Sequence, residues 1–277
     1  MTKLVLVDFD LTLTDPEIEE LPFMTGCVRD LIQITGLAEE QIQEINQQVR
    51  ADMLVHPERY NWEYDGHLVS STVGDPYLRI IPIATAVLDE VNYPEQNGLL
   101  RKLFLDNYPK VPGFRPGVIQ LLTETEKPTH IVTNSEVTKV TPRLHSLFAS
   151  QPEYEDRLDT VLNNLRGSAG KHLVHEWFTP LPLTLTLPDF HRPTIFRRYE
   201  YFQVLNRLRK LHKIAWEDIV MIGDNFEIDL AVPWIMGARV VLVTNPFTPP
   251  WEIEFVQNDP RGFVSSSLEE ITEFLKN

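Results

Sequence analysis

The chain has 277 residues, 25 basic and 40 acidic, and a formal charge of −15; nucleic acid and anionic membranes, which such a surface repels, are set aside as partners. Hydrophobic residues make up 43%, enough for a sizeable core, and the one cysteine, Cys27, cannot form an internal disulfide. A reducing, cytoplasmic setting is expected: the acids of MTKLVLVDFD interrupt any signal-peptide stretch, and the most apolar window, Ile80–Leu88, is broken by Pro82 and Thr85.

Lys3–Asp8 (KLVLVD) is a β-branched, apolar run ending in an acid, the pattern of a buried parallel strand. Roughly a hundred residues separate it from the next such run, too many for an ordinary crossover. Within them Glu39–Leu54 carries Ile42, Ile45, Val49 and Met53 at helical spacing, and Ile83–Val91 and Gly98–Tyr108 are further helix candidates. His56–Tyr77, rich in aromatic and turn residues, reads as a long loop. Residues 15–112 are therefore expected to form an inserted, mostly helical domain; Asp15 to Lys110 holds 17 acids and 7 bases, −10 of the net −15.

Beyond the insert, His130–Thr133 (HIVT), Asp218–Gly223 (DIVMIG) and Ala238–Thr244 (ARVVLVT) repeat the strand pattern. Arg157–Leu165 reads as a helix, and Leu183–Leu187 as a strand among Pro180, Pro182, Pro188 and Pro193. Strands alternating with helices predict an α/β core with a parallel sheet, built from residues 1–14 and 113–277. Ligands of such sheets bind at the carboxyl ends of the strands, which directs attention to DFDLT, TNS, GDNFEID and TNP.

Asp8 and Asp10 sit where the first strand ends, so both carboxylates can converge at its tip. Paired acids suit a hard cation such as Mg2+, or a division of labour between nucleophile and proton donor. A bare DxD, taken alone, is more simply a strand meeting a polar turn. Asp224 extends the acid cluster, whereas Asp229 falls where it could cap the following helix. Thr133, Asn134 and Ser135 could donate to a phosphate oxygen or simply open a helix. His172 and His175 have helical spacing without a third metal ligand nearby, and Tyr60, Trp62, Tyr64, Asp65 and His67 could stack on a substrate or anchor packing. The glycines of Gly167–Gly170 lack nucleotide-loop spacing.

Taken in order, DFDLT, IVTN and GDNFEID resemble the haloacid dehalogenase-like (HAD) hydrolase superfamily. There DxDx[TV] follows the first strand, a Thr or Ser ends the second, a basic residue precedes the fourth, and GDx(3,4)D follows it. The resemblance covers residues 1–14 and 113–277 and leaves the insert where the family places a C1 cap. It implies a Rossmann-like parallel sheet with a mostly helical C1 cap, acting as a Mg2+-dependent hydrolase of a small soluble phosphate ester. Asp8 would be the nucleophile and Asp10 the general acid, then base. Asp8, the backbone carbonyl of Asp10, and Asp224 would hold Mg2+, with Asp229 as supporting acid. Thr133 and the amide of Asn134 would bind phosphoryl oxygens. Family dehalogenases lack the second acid, so Asp10 implies phosphate chemistry.

The third motif departs from the pattern. The family usually has a lysine, often followed by proline, and Arg192-Pro193 aligns best. Arg192 is thus expected to bind phosphate, with Lys171, Arg197 and Arg198 as alternatives, although arginine does not reproduce lysine geometry. The departure keeps a second reading open, a HAD-fold binding or regulatory protein that has lost turnover.

Overall fold

A computed structural model describes residues 2–94, 96–107 and 113–276. From the N-terminus, β1 (Leu4–Val7) leads to α1 (Pro16–Thr35), α2 (Glu39–Val55), a hairpin of β2 (Asn61–Tyr64) and β3 (His67–Ser71), α3 (Ile80–Glu90) and α4 (Gln96–Asn107). Next come α5 (Val118–Thr123), β4 (Thr129–Val132), α6 (Val137–Ala149), α7 (Leu158–Asn163), β5 (Leu165–Arg166), the antiparallel pair β6 (Thr184–Leu185) and β7 (Thr194–Ile195), and α8 (Tyr199–Leu211). Then β8 (Ile219–Gly223) runs into a π-helical turn (Phe226–Leu230), followed by α9 (Ala231–Ile235), β9 (Arg239–Val243), α10 (Pro250–Asn258), β10 (Gly262–Ser265) and α11 (Leu268–Lys276).

Contacts divide the chain into two units: Met1–Asp15, Glu63–Ser70 and Pro112–Asn277 in the first, Pro16–Trp62 and Ser71–Val111 in the second. The first is an α/β, Rossmann-like unit. Its six-stranded sheet has the order β10-β9-β8-β1-β4-β5, with every pair parallel. Alternate side chains enter opposite cores. Leu4 and Leu6 join Met221, Val240 and Leu242 under Tyr201 and Leu205 of α8, while Val5 and Val7 join Ile222 and Val241 under Leu144 of α6 and Ile271 of α11. Burial on both faces explains why these strands are apolar without alternation. Val7 pairs with Ile131 on one side and Ile222 on the other, so DFDLT, TNS and GDNFEID leave three adjacent strands at one sheet edge.

The second unit is built on α1 to α4. Phe23, Cys27 and Leu31 of α1 bury one helical stripe, and α3 buries Ile80, Ile83, Ala84, Val87 and Leu88. Buried Glu19 accepts a hydrogen bond from Tyr77 Oη. Among the described residues no helix is long and apolar enough to cross a membrane.

The structure corrects several local expectations. The segment 56–77 is not all loop: Asp65 and Gly66, at φ of 49° and 76°, make the tight turn of the β2–β3 hairpin. That conformation is what Asp-Gly favours between strands. Arg157–Leu165 splits into α7 and the start of β5, and only Thr184–Leu185 of the expected strand at 183–187 forms one. α4 runs to Asn107; Tyr108, expected to end it, lies outside the described residues. α1, interrupted in sequence by Pro22 and Gly26, was not expected as a helix.

Candidate active site

At the tip of β1 the Asp8 amide still donates to Ile222 O at 2.9 Å, and the chain then curls into a tight turn. Leu13 N and Thr14 N both return to Phe9 O, while Leu11, at φ 62°, is closed by its own N–H to Thr14 Oγ1 at 2.8 Å. A leucine in the left-handed region costs about 1 kcal/mol or more, which the surrounding hydrogen bonds must offset. The turn places Thr12 between two acids: its hydroxyl lies 3.2 Å from Asp8 Oδ2 and 2.9 Å from Asp224 Oδ1.

On the other side of β1, β8 delivers Asp224 and the π-helical turn delivers Asp229. Asn225, not Asp229, caps that turn, accepting from Ile228 N at 3.0 Å. Asp229 Oδ2 accepts from Asn225 N at 3.3 Å, and Tyr201 Oη donates to Asp229 O at 2.6 Å. Buried Glu252 accepts from Phe226 N at 2.7 Å. Asp8, Asp224 and Asp229 each thereby bring one carboxylate oxygen within 4.8 Å of the others, all three buried.

Lys171 fills the space beside them. Its ammonium contacts Asp8 Oδ1 and lies 2.8 Å from Asp229 Oδ1. The loop that carries it drapes over the end of β4: Ala169 N donates to Thr133 O at 2.9 Å, Ser168 N to Ser135 O at 3.0 Å, and Lys171 N to Asn134 Oδ1 at 2.8 Å. Gly167 is required there, because a Cβ would come within 2.6 Å of Ser135 O and 2.7 Å of Val137 N. Burial alone would lower the Lys171 ammonium, but Asp229 and Asp8 outweigh it, so the lysine is held charged. Burial first, with Asp229 and Asp10 adding to it and Lys171 opposing, raises the Asp8 carboxyl to about 7. One ammonium between several acids leaves the cluster short of positive charge.

Asp10 points the other way along the same edge. Its Oδ2 accepts from Ser135 Oγ at 2.6 Å and sits 3.4 Å from Thr133 Oγ1, and its Oδ1 lies 3.3 Å from Arg143 Nη1.

No protein-family model matches the chain, and no curated protein does. Solved structures do. A HAD-hydrolase, YfnB, from Bacillus subtilis, described as bound to magnesium, superposes with TM-score 0.53 at 18% identity over 100% of this chain and 99% of that one. A haloacid dehalogenase-like hydrolase from Bacteroides fragilis gives 0.50 at 16% identity, over 98% and 100%. The chain has the HAD hydrolase fold. An L-2-haloacid dehalogenase from Xanthobacter autotrophicus, with chloropropionic acid covalently bound, lies further off at 0.46 and 12%, over 100% and 99%.

In HAD-fold terms the first, second and fourth motifs converge, and the third is where the sequence expectation needs correcting. Arg192 does not reach the acids at the sheet edge. It pairs with buried Glu227 at 2.8 Å and donates to the carbonyls of Leu68, at 3.2 Å, and Pro193. Arg197 is held on the carbonyls of Leu181 and Glu176. Arg198, fully buried, binds the carbonyls of Lys171, Val69 and Ile195. Lys171 is the basic side chain on Asp8. The Asn134 side chain, through its Oδ1, anchors the lysine loop.

Other sequence candidates disperse. His175 pairs with Glu200 at 2.6 Å, while the His172 ring meets Tyr64 edge-on at 4.7 Å. Tyr60 donates to Asp52 at 2.6 Å, a packing contact within the second unit. Arg143 and Ser135, both on Asp10, were not singled out as Asp10 partners. Ser135 stands inside the TNS motif; Arg143 has no local sequence signal at all.

Proposed function

We propose that the chain is a Mg2+-dependent phosphomonoester hydrolase that works through an aspartyl-phosphate on Asp8, with residues 15–112 as its C1 cap and a small soluble phosphate ester as substrate. The observation that carries this reading is the second acid. Asp10 stands beside Thr133 and Ser135 at the same edge as Asp8, where a proton donor to a leaving oxygen is needed. A lysine against Asp8, which the sequence had left in doubt, supports turnover over a protein that has lost it.

Mg2+ fits the residues present. Asp8 and Asp224, with the Asp10 carbonyl, offer an all-oxygen donor set, and Asp229 completes a buried group with fewer cations than carboxylates. When bound, the cation supplies charge neutralisation for the phosphoryl group. The residues do the rest. An Asp8 oxygen attacks phosphorus as the ester P–O bond breaks, and the departing oxygen takes the proton of Asp10. Water then attacks the aspartyl-phosphate, returning its proton to Asp10 and releasing inorganic phosphate. Lys171 and Thr133 balance and orient equatorial oxygens, which is most of what phosphoryl transfer asks of a protein.

Hydrolysis of p-nitrophenyl phosphate and a panel of phosphorylated metabolites, with Mg2+ and with EDTA, tests this. Turnover that needs Mg2+ and vanishes in Asp8→Asn is expected. Equal inactivity of both proteins across the panel would overturn it.

A further inference from the structure

Both oxygens of the Asp10 carboxylate are occupied by residues of the segment after β4. Arg143 reaches Oδ1 at 3.3 Å from the second turn of α6, and Ser135 donates to Oδ2 at 2.6 Å from the loop before that helix. The Arg143 guanidinium also lies 5.0 Å from the centre of the Phe9 ring, which packs edge-on against Phe114 at 6.0 Å. Phe9, the residue between the two acids, is fully buried.

Packing alone does not call for an arginine there. Arg143 shares the inward face of α6 with Val140, Leu144, Leu147 and Phe148, all buried, and is itself 6% exposed. A leucine would fill that face without the cost of desolvating a guanidinium, which amounts to several kcal/mol. Asp10, 3.3 Å away, is a countercharge for the guanidinium.

The geometry points to Arg143, assisted by Ser135, as a positioning residue that fixes the Asp10 carboxylate for proton transfer to the leaving-group oxygen. This rests on the hydrolase reading above and deepens it. Asp10 sits on a turn with a left-handed leucine, and a displacement of ~1 Å at such a site can cost up to ~10²-fold in rate. Arg143 touches no reacting atom; it acts through Asp10.

A leaving-group comparison separates this role from general support of the fold. An alkyl phosphate, such as ethyl phosphate, needs its departing oxygen protonated, whereas 2,4-dinitrophenyl phosphate leaves as a stable phenolate. The quantity to measure is kcat/KM, which stops at P–O cleavage and excludes the later water step. In Arg143→Met, the alkyl value is expected to fall ~100-fold and the dinitrophenyl value less than ~5-fold, with Mg2+ binding by calorimetry unchanged. Arg143→Lys, which keeps a charged donor, should recover part of the alkyl loss. Ser135→Ala should show the same bias more weakly. Equal losses on both esters in a variant that binds Mg2+ normally would overturn the role, as would an unchanged or raised alkyl value. Should Arg143→Met fail to fold, Arg143→Lys and Ser135→Ala decide the matter by the same ratio. Wild type that hydrolyses neither these esters nor any member of the metabolite panel overturns the hydrolase reading itself, a result visible before any variant is made. Where a panel substrate is turned over instead, its alkyl ester and its most activated counterpart take the place of the two esters.

Discussion

Lys171 and Asp229 form a buried ion pair, 2.8 Å apart and 1% and 4% exposed, in which the lysine is shared with Asp8. The pair ties the Lys171 loop to the GDNFEID segment across the sheet edge. Replacing the lysine leaves two buried carboxylates with no ammonium between them, and breaking such a pair costs ~3–5 kcal/mol. Lys171→Met is therefore expected to lose about that much stability in EDTA, measured by urea denaturation. Mg2+ should restore more stability to the variant than it adds to wild type, since it becomes the cluster's main countercharge. Equal stability of the two proteins in EDTA would contradict this account of the pair.

The same cluster predicts a metal-linked stability. A cation that binds only the folded state adds about 2.7 kcal/mol at a concentration a hundred times its Kd, equivalent to a few degrees in Tm for a chain of this size. Asp224→Asn keeps an oxygen for the Thr12 hydroxyl, 2.9 Å away, yet removes one of the three charges. Wild type should show a Tm that rises with Mg2+ and returns with EDTA, and the variant should show a much smaller rise. A full Mg2+ response in Asp224→Asn would exclude that carboxylate as a ligand.

What could be read from sequence was whatever lies contiguous along the chain. DFDLT and GDNFEID each present acids just past a strand end, and their order along the chain, resembling the HAD motifs, is what singled out Asp8, Asp10, Asp224 and Asp229. Lys171 is different. It reaches Asp8 because Ser168 and Gly170 adopt φ of 51° and 65° and their loop hydrogen-bonds to Thr133, Asn134 and Ser135. Nothing adjacent to the lysine marks it: the proline expected after it is absent, and the segment 172–198 intervenes before α8. Arg192-Pro193 imitates the local pattern, but tertiary structure assigns its charge to Glu227. Arg143 lies beyond local reasoning, because its inward face reads as ordinary helical core until the β1 turn is folded beneath it.

Because Arg192 neutralises Glu227, its loss is a stability defect first. Their side chains are 13% and 2% exposed, and an unbalanced buried carboxylate of this kind costs roughly 3 kcal/mol. Arg192→Ala should lower the urea midpoint accordingly, and adding Glu227→Gln should recover part of that loss. A phosphate-binding arginine would behave otherwise: the midpoint would hold while KM for a phosphate ester rose tenfold or more, about 1.4 kcal/mol of binding.

His130, on β4 and 2% exposed, offers a pH test away from the acids. Its Nε2 lies 2.9 Å from His212 Nε2, one ring donating and the other accepting. Burial lowers it from 6.5 to about 4, with Arg166 and His212 adding to the effect. Between those values the unfolded chain takes up a proton that the folded chain refuses. The stability contributed by neutral His130 is therefore complete above pH 6.5, lost progressively as pH falls, and gone below about 4, a change of at most ~3 kcal/mol. Asp8, raised by burial, has the opposite sign over an overlapping range, because its folded form takes up the proton more readily. The informative quantity is thus the difference between wild type and His130→Gln, by urea denaturation from pH 7.5 to 4. The advantage of wild type should shrink as pH falls. A difference independent of pH would mean that His130 titrates alike in the folded and unfolded chains.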